Sequence, residues 1–153
     1  MSKRTVLVFR HAKTEPSGGN IDDFERRLTA EGRLAAGRMG VRCASLGFTI
    51  DRVVSSPAVR AKETTELFLK AYSPNRAIDV EYIEKFYAAD GTDLATWWRK
   101  NAGGAAWLLV GHNPSLEELV SELTKRPAKL KPADMAAITL GSDGFESLCF
   151  YRP

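Results

Sequence analysis

Imidazole and sulfur are scarce in this chain: 153 residues carry two histidines and two cysteines. Cys43 and Cys149 lie far apart inside apolar-patterned segments. They form neither a metal-ligand spacing nor a disulfide framework, so both are expected to be buried thiols in a reducing compartment. No apolar run approaches the ~20 residues of a membrane span. The opening MSKRTVLVFRH has too few apolar positions before Arg10 for a secretory leader, and a soluble, cytoplasmic protein is expected. An excess of one charge is also missing. Lys and Arg number 22 against 19 Asp and Glu, and a net charge of +3 spread along the chain gives no basic stripe for nucleic acid. Repeats, low-complexity stretches and long linkers are absent, as is the GxxxxGKS/T loop of nucleotide hydrolases.

The remaining composition, 44% hydrophobic and 27% charged, is that of one globular domain over residues 1–153. Short β-rich runs alternate with amphipathic helical ones, which predicts an α/β fold with a largely parallel sheet. Thr5–Phe9 and Ala105–Val110 read as fully apolar, buried strands, Arg52–Ser55 as a further strand, and Ala77–Ile83 as an alternating one. A helix capped by Thr29 should bury Leu28, Ala35, Met39, Cys43 and Leu46 and stop at Gly47. Ser56-Pro57 and Asn113-Pro114 each look like a cap followed by proline at the first helical position. A short helix over Asp93–Asn101 carries Trp97 and Trp98, read as packing residues. Leu116, Leu119, Val120 and Leu123 make one helical face, and Ala136–Leu140 with Leu148–Tyr151 flank a turn as an antiparallel hairpin. Residues 125–132 (KRPAKLKP) read as a solvated loop.

Both histidines fall just past the end of a fully apolar strand, His11 after Arg10 and His112 after Gly111. In open α/β sheets the ligand crevice lies outside those carboxyl ends. Arg60 falls in the first turn of the helix that follows another strand. Two guanidinium forks, two imidazoles and two helix N-termini converging there would select a small oxyanion such as phosphate. Two histidines among arginines offer a cation no third donor and would repel it, so no metal is expected. The chemistry left is a nucleophilic imidazole attacking phosphorus in line while the arginines and second histidine hold the equatorial oxygens. Nearby cations are expected to keep His11 neutral.

Arg10-His11-Ala12, Leu28-Thr29-Ala30-Glu31-Gly32, Ser55-Ser56-Pro57 with Arg60-Ala61 and Glu63-Thr64, and Val110-Gly111-His112-Asn113 occur in this order. Together they resemble the histidine phosphatase superfamily over the whole chain, and within it the small SixA-like phosphohistidine phosphatases, whose openings are similar to VLVFRHAK. The resemblance implies a three-layer α/β/α sandwich of the phosphoglycerate-mutase-like kind, no cofactor, and His11 as the phosphorylated nucleophile. Arg10, Arg60 and His112 would form the phosphate pocket, with Asn113 assisting. Glu84, in Ile83-Glu84-Lys85-Phe86-Tyr87, best matches the family's general acid, with Asp90 and Glu15 in reserve. Ala12 replaces the glycine of the broad family, as it does in SixA-like members. The 23 residues between Arg60 and Glu84 leave no room for an inserted cap domain.

An open site and an easily departing imidazole favour phosphohistidine on a protein, such as a phosphotransfer domain, with inorganic phosphate as product and a monomeric enzyme acting in signal transduction. A small-molecule phosphomonoesterase or mutase-like enzyme is the first alternative. A non-catalytic module that binds phosphorylated partners is the second.

Overall fold

The computed structural model describes residues 3–103 and 106–153. Six strands form one sheet: β1 (Arg4–Arg10), β2 (Arg52–Ser55), β3 (Val80–Tyr82), β4 (Trp107–Gly111), β5 (Met135–Gly141) and β6 (Gly144–Tyr151). Their order is β3-β2-β4-β1-β5-β6. The first four in that order are parallel, while β5 runs antiparallel to both β1 and β6.

The apolar alternation of the strands divides the core in two. Leu7, Phe9, Val53, Leu108 and Val110 pack on one face with residues of α1 (Ala30–Ser45) and α2 (Val59–Tyr72). After the short α3 (Lys85–Ala88), α4 (Gly91–Asn101) and α5 (Ser115–Thr124) cover Val6, Val8, Val54 and Leu109 on the other. Burial on both faces is why β4 and the Val6–Phe9 stretch of β1 are apolar throughout, as expected of central strands. The architecture is therefore the expected three-layer α/β/α sandwich.

The chain leaves β1 for α1 and leaves neighbouring β4 for α5, on opposite faces. A crevice consequently opens between the carboxyl ends of these two strands. The segment after β1 is tied to α1 by the motif Leu28–Gly32. Thr29 donates its backbone N–H to the Lys13 carbonyl at 3.0 Å, and its hydroxyl caps α1 by accepting from the N–H of Gly32 at 2.9 Å. A Cβ on Gly32 would run into the Lys13 backbone, so glycine is required there by contact. Gly47, at φ 78°, ends α1 in the left-handed region.

Several expectations are corrected. Cys43 is buried, but Cys149 is exposed, because β6 is an edge strand with little covering it. Leu46 lies just past the end of α1 as its C-cap, with 47% of its surface exposed. The strand expected over 77–83 shortens to Val80–Tyr82, where pairing with β2 ends. Ala105 lies outside the described residues, and β4 runs one residue further than expected, to Gly111. The hairpin strands β5 and β6 are both longer than the apolar runs that suggested them. Trp98 and Trp107 pack edge to face at 5.2 Å, both buried, as the packing reading required. Among the described residues no helix is long and apolar enough to cross a membrane.

Candidate active site

Strand register brings the two histidines together. Arg10 pairs with Gly111 across β1 and β4, and the N–H of His11 continues the ladder to the Gly111 carbonyl at 3.0 Å. The next residue on each strand is therefore a histidine beside a histidine. Their ring centroids lie 5.1 Å apart, and each side chain is nearly buried. β2 contributes the third wall, with the Ser56 N–H donating to the Val110 carbonyl at 2.9 Å.

Hydrogen bonds fix how each ring faces the crevice. His11 Nδ1 lies 2.8 Å from the Ala12 carbonyl, which can only accept. Nδ1 thus carries the proton and Nε2 a free lone pair. His112 Nε2 lies 2.7 Å from the Ser56 hydroxyl, which also accepts from the Ala58 N–H at 3.2 Å. Ser56 has one proton and two lone pairs; donating that proton to Nε2 while accepting from Ala58 selects the tautomer in which His112 Nδ1 is the N–H. Burial pushes His11 down to about 4, opposed by the Ala12 carbonyl and reinforced by Arg60, Arg10 and Arg26. His112 falls to about 3, again through burial first, then through His11 and Arg60. Sequence reasoning expected the arginines to keep His11 neutral; desolvation does more of it.

The arginines enter from opposite sides. Arg10 donates Nη1 to the Leu130 carbonyl at 2.9 Å. Arg60 is clasped by Asp23, donating Nη1 to its carbonyl at 2.7 Å and Nη2 to Oδ2 at 3.0 Å. The buried side-chain polar atoms without a partner, among the described residues, are Arg10 Nε, Arg60 Nε, His112 Nδ1 and Asn113 Oδ1. Two are guanidinium N–H donors and the third nitrogen is that of His112, a donor in the tautomer that accepts from Ser56; both arginines lie near enough to the two histidines to lower them. Since an unpaired buried donor costs about 1–3 kcal/mol, such a cluster signals an absent acceptor.

Neither cap-then-proline device works as expected. α2 starts at Val59, and Ser56 turns to His112 instead of serving as its N-cap. α5 starts at Ser115, and Asn113 donates Nδ2 to the Leu130 carbonyl at 2.8 Å. Its partnerless oxygen is an acceptor, which does not contact an anion directly.

None of the expected carboxylates is hydrogen-bonded to a side chain of this cluster among the described residues. Glu84 is exposed just before α3, and its carboxylate has no hydrogen-bond or ion-pair partner among the described residues. Asp90 caps α4, accepting from the Asp93 N–H at 2.9 Å. Glu15 is exposed, and its backbone carbonyl accepts from Arg26 at 3.3 Å. Three residues passed over in the sequence join the site instead. Ser56 was read as a helix start and as part of a motif, with no role of its own in the site. Tyr87 packs its ring against His112 at 5.5 Å and donates its hydroxyl to Asp23 Oδ2 at 3.0 Å. Asp23 lies in a short 3₁₀ turn over Asp23–Glu25 and also receives Arg26 Nε on Oδ1 at 3.1 Å. Against the penalty of burial, the Tyr87 hydroxyl and the charges of Arg60 and Arg26 hold the Asp23 carboxyl below its usual range. Nothing periodic marked it out among Asp22, Asp23 and Glu25.

Comparison with known families settles the relationship. The family description of the histidine phosphatase superfamily (branch 1) matches residues 6–89. The chain belongs to that superfamily. The structure of the protein histidine phosphatase SixA complexed with tungstate matches with TM-score 0.81 and 24% identity, over 94% of this chain and 95% of that one. A SixA protein from Agrobacterium tumefaciens matches with TM-score 0.83 and 23% identity, over 97% and 98%. At these identities the likeness shows a shared fold. In sequence, the chain is 42% identical over 72 residues to the mitochondrial serine/threonine-protein phosphatase PGAM5 of Xenopus tropicalis. That match spans 47% of this chain and 25% of the length of PGAM5. The superfamily match holds β1, α1, β2 and α2, hence His11, Arg10 and Arg60, whereas His112 lies beyond it.

Proposed function

We propose that this protein is a metal-independent phosphatase that forms a phosphohistidine intermediate on His11, with phosphohistidine in a protein as its preferred substrate. The observation that carries the reading is the cluster of partnerless donors, Arg10 Nε, Arg60 Nε and His112 Nδ1, beside the free Nε2 of a neutral His11. A phosphoryl group in the crevice supplies acceptors to all three donors and an electrophile to the lone pair.

The steps balance as follows. His11 Nε2 bonds to phosphorus in line as the bond to the leaving nitrogen or oxygen breaks, and that pair of electrons leaves with the departing group. Charge on the equatorial oxygens is met by the two guanidiniums and the His112 N–H, held in advance by Leu130, Asp23 and Ser56. Water then attacks phosphorus and releases inorganic phosphate, restoring neutral His11.

The leaving group selects the substrate. The carboxylate paired with Arg60, Asp23, is held below its usual range and is a poor proton donor, and Glu84 is exposed. An imidazole already protonated on its ring departs without strong acid help, whereas an alkoxide needs it. SixA, the structural neighbour, is itself described as a protein histidine phosphatase. The likeness to a serine/threonine-protein phosphatase over 72 residues favours a second substrate class, phosphoserine or phosphothreonine esters.

The test is phosphate release, in EDTA, from a histidine-phosphorylated protein and from phosphoserine peptides. Wild type is expected to release phosphate from the former, and His11→Ala to lose at least about ten-thousandfold. Undiminished release by His11→Ala overturns the mechanism. Release from phosphoserine peptides alone transfers the assignment to the ester.

A further inference from the structure

We infer that Asp23 is a positioning residue of the phosphate pocket: it grips the terminal nitrogens of Arg60, so that the guanidinium edge carrying Nε is the one left to meet the anion. This rests on the phosphatase reading and extends it to a residue outside the recognised motifs.

A guanidinium is planar and presents five N–H groups in fixed directions. Asp23 takes one from Nη1 through its carbonyl, at 2.7 Å, and one from Nη2 through Oδ2, at 3.0 Å. Nε remains buried and without a partner. Nε–H and the second hydrogen of Nη2 lie along one edge and point the same way, the pairing that receives two oxygens of a phosphate. Asp23 therefore occupies the end of the fork and leaves its side. A competitor for phosphate would instead cover Nε.

Asp23 is itself held from two directions. Tyr87 donates to Oδ2 at 3.0 Å while its ring touches His112, and Arg60 lies 5.9 Å over that ring. Arg26 donates to Oδ1 at 3.1 Å and reaches back to Thr14 Oγ1 at 3.2 Å, on the segment that follows His11. The orientation of Arg60 is thus referred to both histidines: to His112 through Tyr87, and to His11 through Arg26 and the chain itself. Phe24 closes the arrangement with its ring 5.1 Å from Tyr87, edge to face.

A double-mutant cycle tests this, reading inorganic phosphate inhibition and turnover of histidine-phosphorylated protein for wild type, Asp23→Ala, Arg60→Ala and the double variant. Asp23→Ala is expected to weaken phosphate binding and kcat/KM by about tenfold, and to have less than about a twofold effect once Arg60 is alanine. Asp23→Asn keeps the backbone contact and an amide oxygen, and is expected to recover to within about threefold of wild type. Equal losses in both backgrounds overturn the inference. Tighter phosphate binding by Asp23→Ala makes Asp23 a competitor and overturns it. Lost turnover with unchanged phosphate affinity makes it a proton donor and also overturns it. Wild type failing to bind phosphate overturns the phosphatase reading and this inference together, whereas failure confined to the variants overturns this inference alone.

Discussion

The two arginines do similar work from different foundations. Arg10 stands on the sheet and is steadied by main chain, the Leu130 carbonyl. That carbonyl also receives Asn113, and the Leu130 N–H is held by Glu117 at 2.7 Å. Arg60 stands on a helix and is steadied by Asp23 alone, through its main-chain carbonyl and through a carboxylate that is half exposed on a short turn. Backbone anchors survive substitution of the residue that supplies them; side-chain anchors do not. One wall of the pocket is therefore indifferent to sequence outside the motif, and the other depends for half of its grip on a residue that no motif records.

Removing either guanidinium tests the likeness between the two sides and carries the largest effect. Arg10→Ala and Arg60→Ala are each expected to lower kcat/KM by about 100- to 1,000-fold, measured on histidine-phosphorylated protein. A lysine in either place recovers little, because an ammonium cannot be anchored at one end and donate from a fixed edge at the other. Rescue by Arg60→Lys to near wild type would show that charge alone suffices and that orientation is unimportant.

The next effect separates the two histidines. Ser56→Ala removes the hydroxyl that holds His112 Nε2, freeing the ring to present its lone pair instead of its proton. A loss of about tenfold in kcat/KM is expected, with His11 phosphorylation still detectable in a quenched reaction. An unchanged rate would mean that the crevice itself sets the His112 tautomer.

The smallest expected effect is none at all. Burial first, then neighbouring charge, pushes His11 down to about 4 and His112 down to about 3, so both imidazoles are expected to stay neutral from about pH 8 to about pH 5. With two histidines in the chain, a ¹⁵N NMR titration resolves both directly. A midpoint near 6.5 for either ring would contradict the burial described above. The sign for stability follows. Unfolded imidazoles bind protons near pH 6.5 that the folded ones refuse, so stability falls as pH drops below that value.

Much of this was legible in the chain, for identifiable reasons. β1 and β4 announced themselves because strands covered on both faces are apolar at every position, and the first residue beyond each was a histidine. α1 was legible through Thr29 and Gly47. The strand order was not, since β1 pairs with β4 across about a hundred residues and no local pattern encodes a parallel partner. Ser56 and Asn113 were misread because a polar residue before proline fits a helix start as well as it fits a tie to a neighbouring histidine or carbonyl. Cys149 was misread because an apolar neighbourhood in sequence, Leu148 to Tyr151, belongs to an edge strand on which Cys149 and Phe150 are both exposed. Asp23 had no signature, because its importance lies in what reaches it from Arg60 and Tyr87.

The register of Arg10 against Gly111 has a further consequence for how the protein loses activity. The two imidazoles are spaced by the ladder between central strands, which yields only when the domain as a whole unfolds. Asp23 sits on a turn that buries none of its own residues and is tied down by the side chains of Arg60, Tyr87 and Arg26. The crevice thus joins a half fixed by the sheet to a half fixed by side chains at the surface. Damage to that surface half is expected to cost activity while the fold, and the spacing of the two imidazoles, persists.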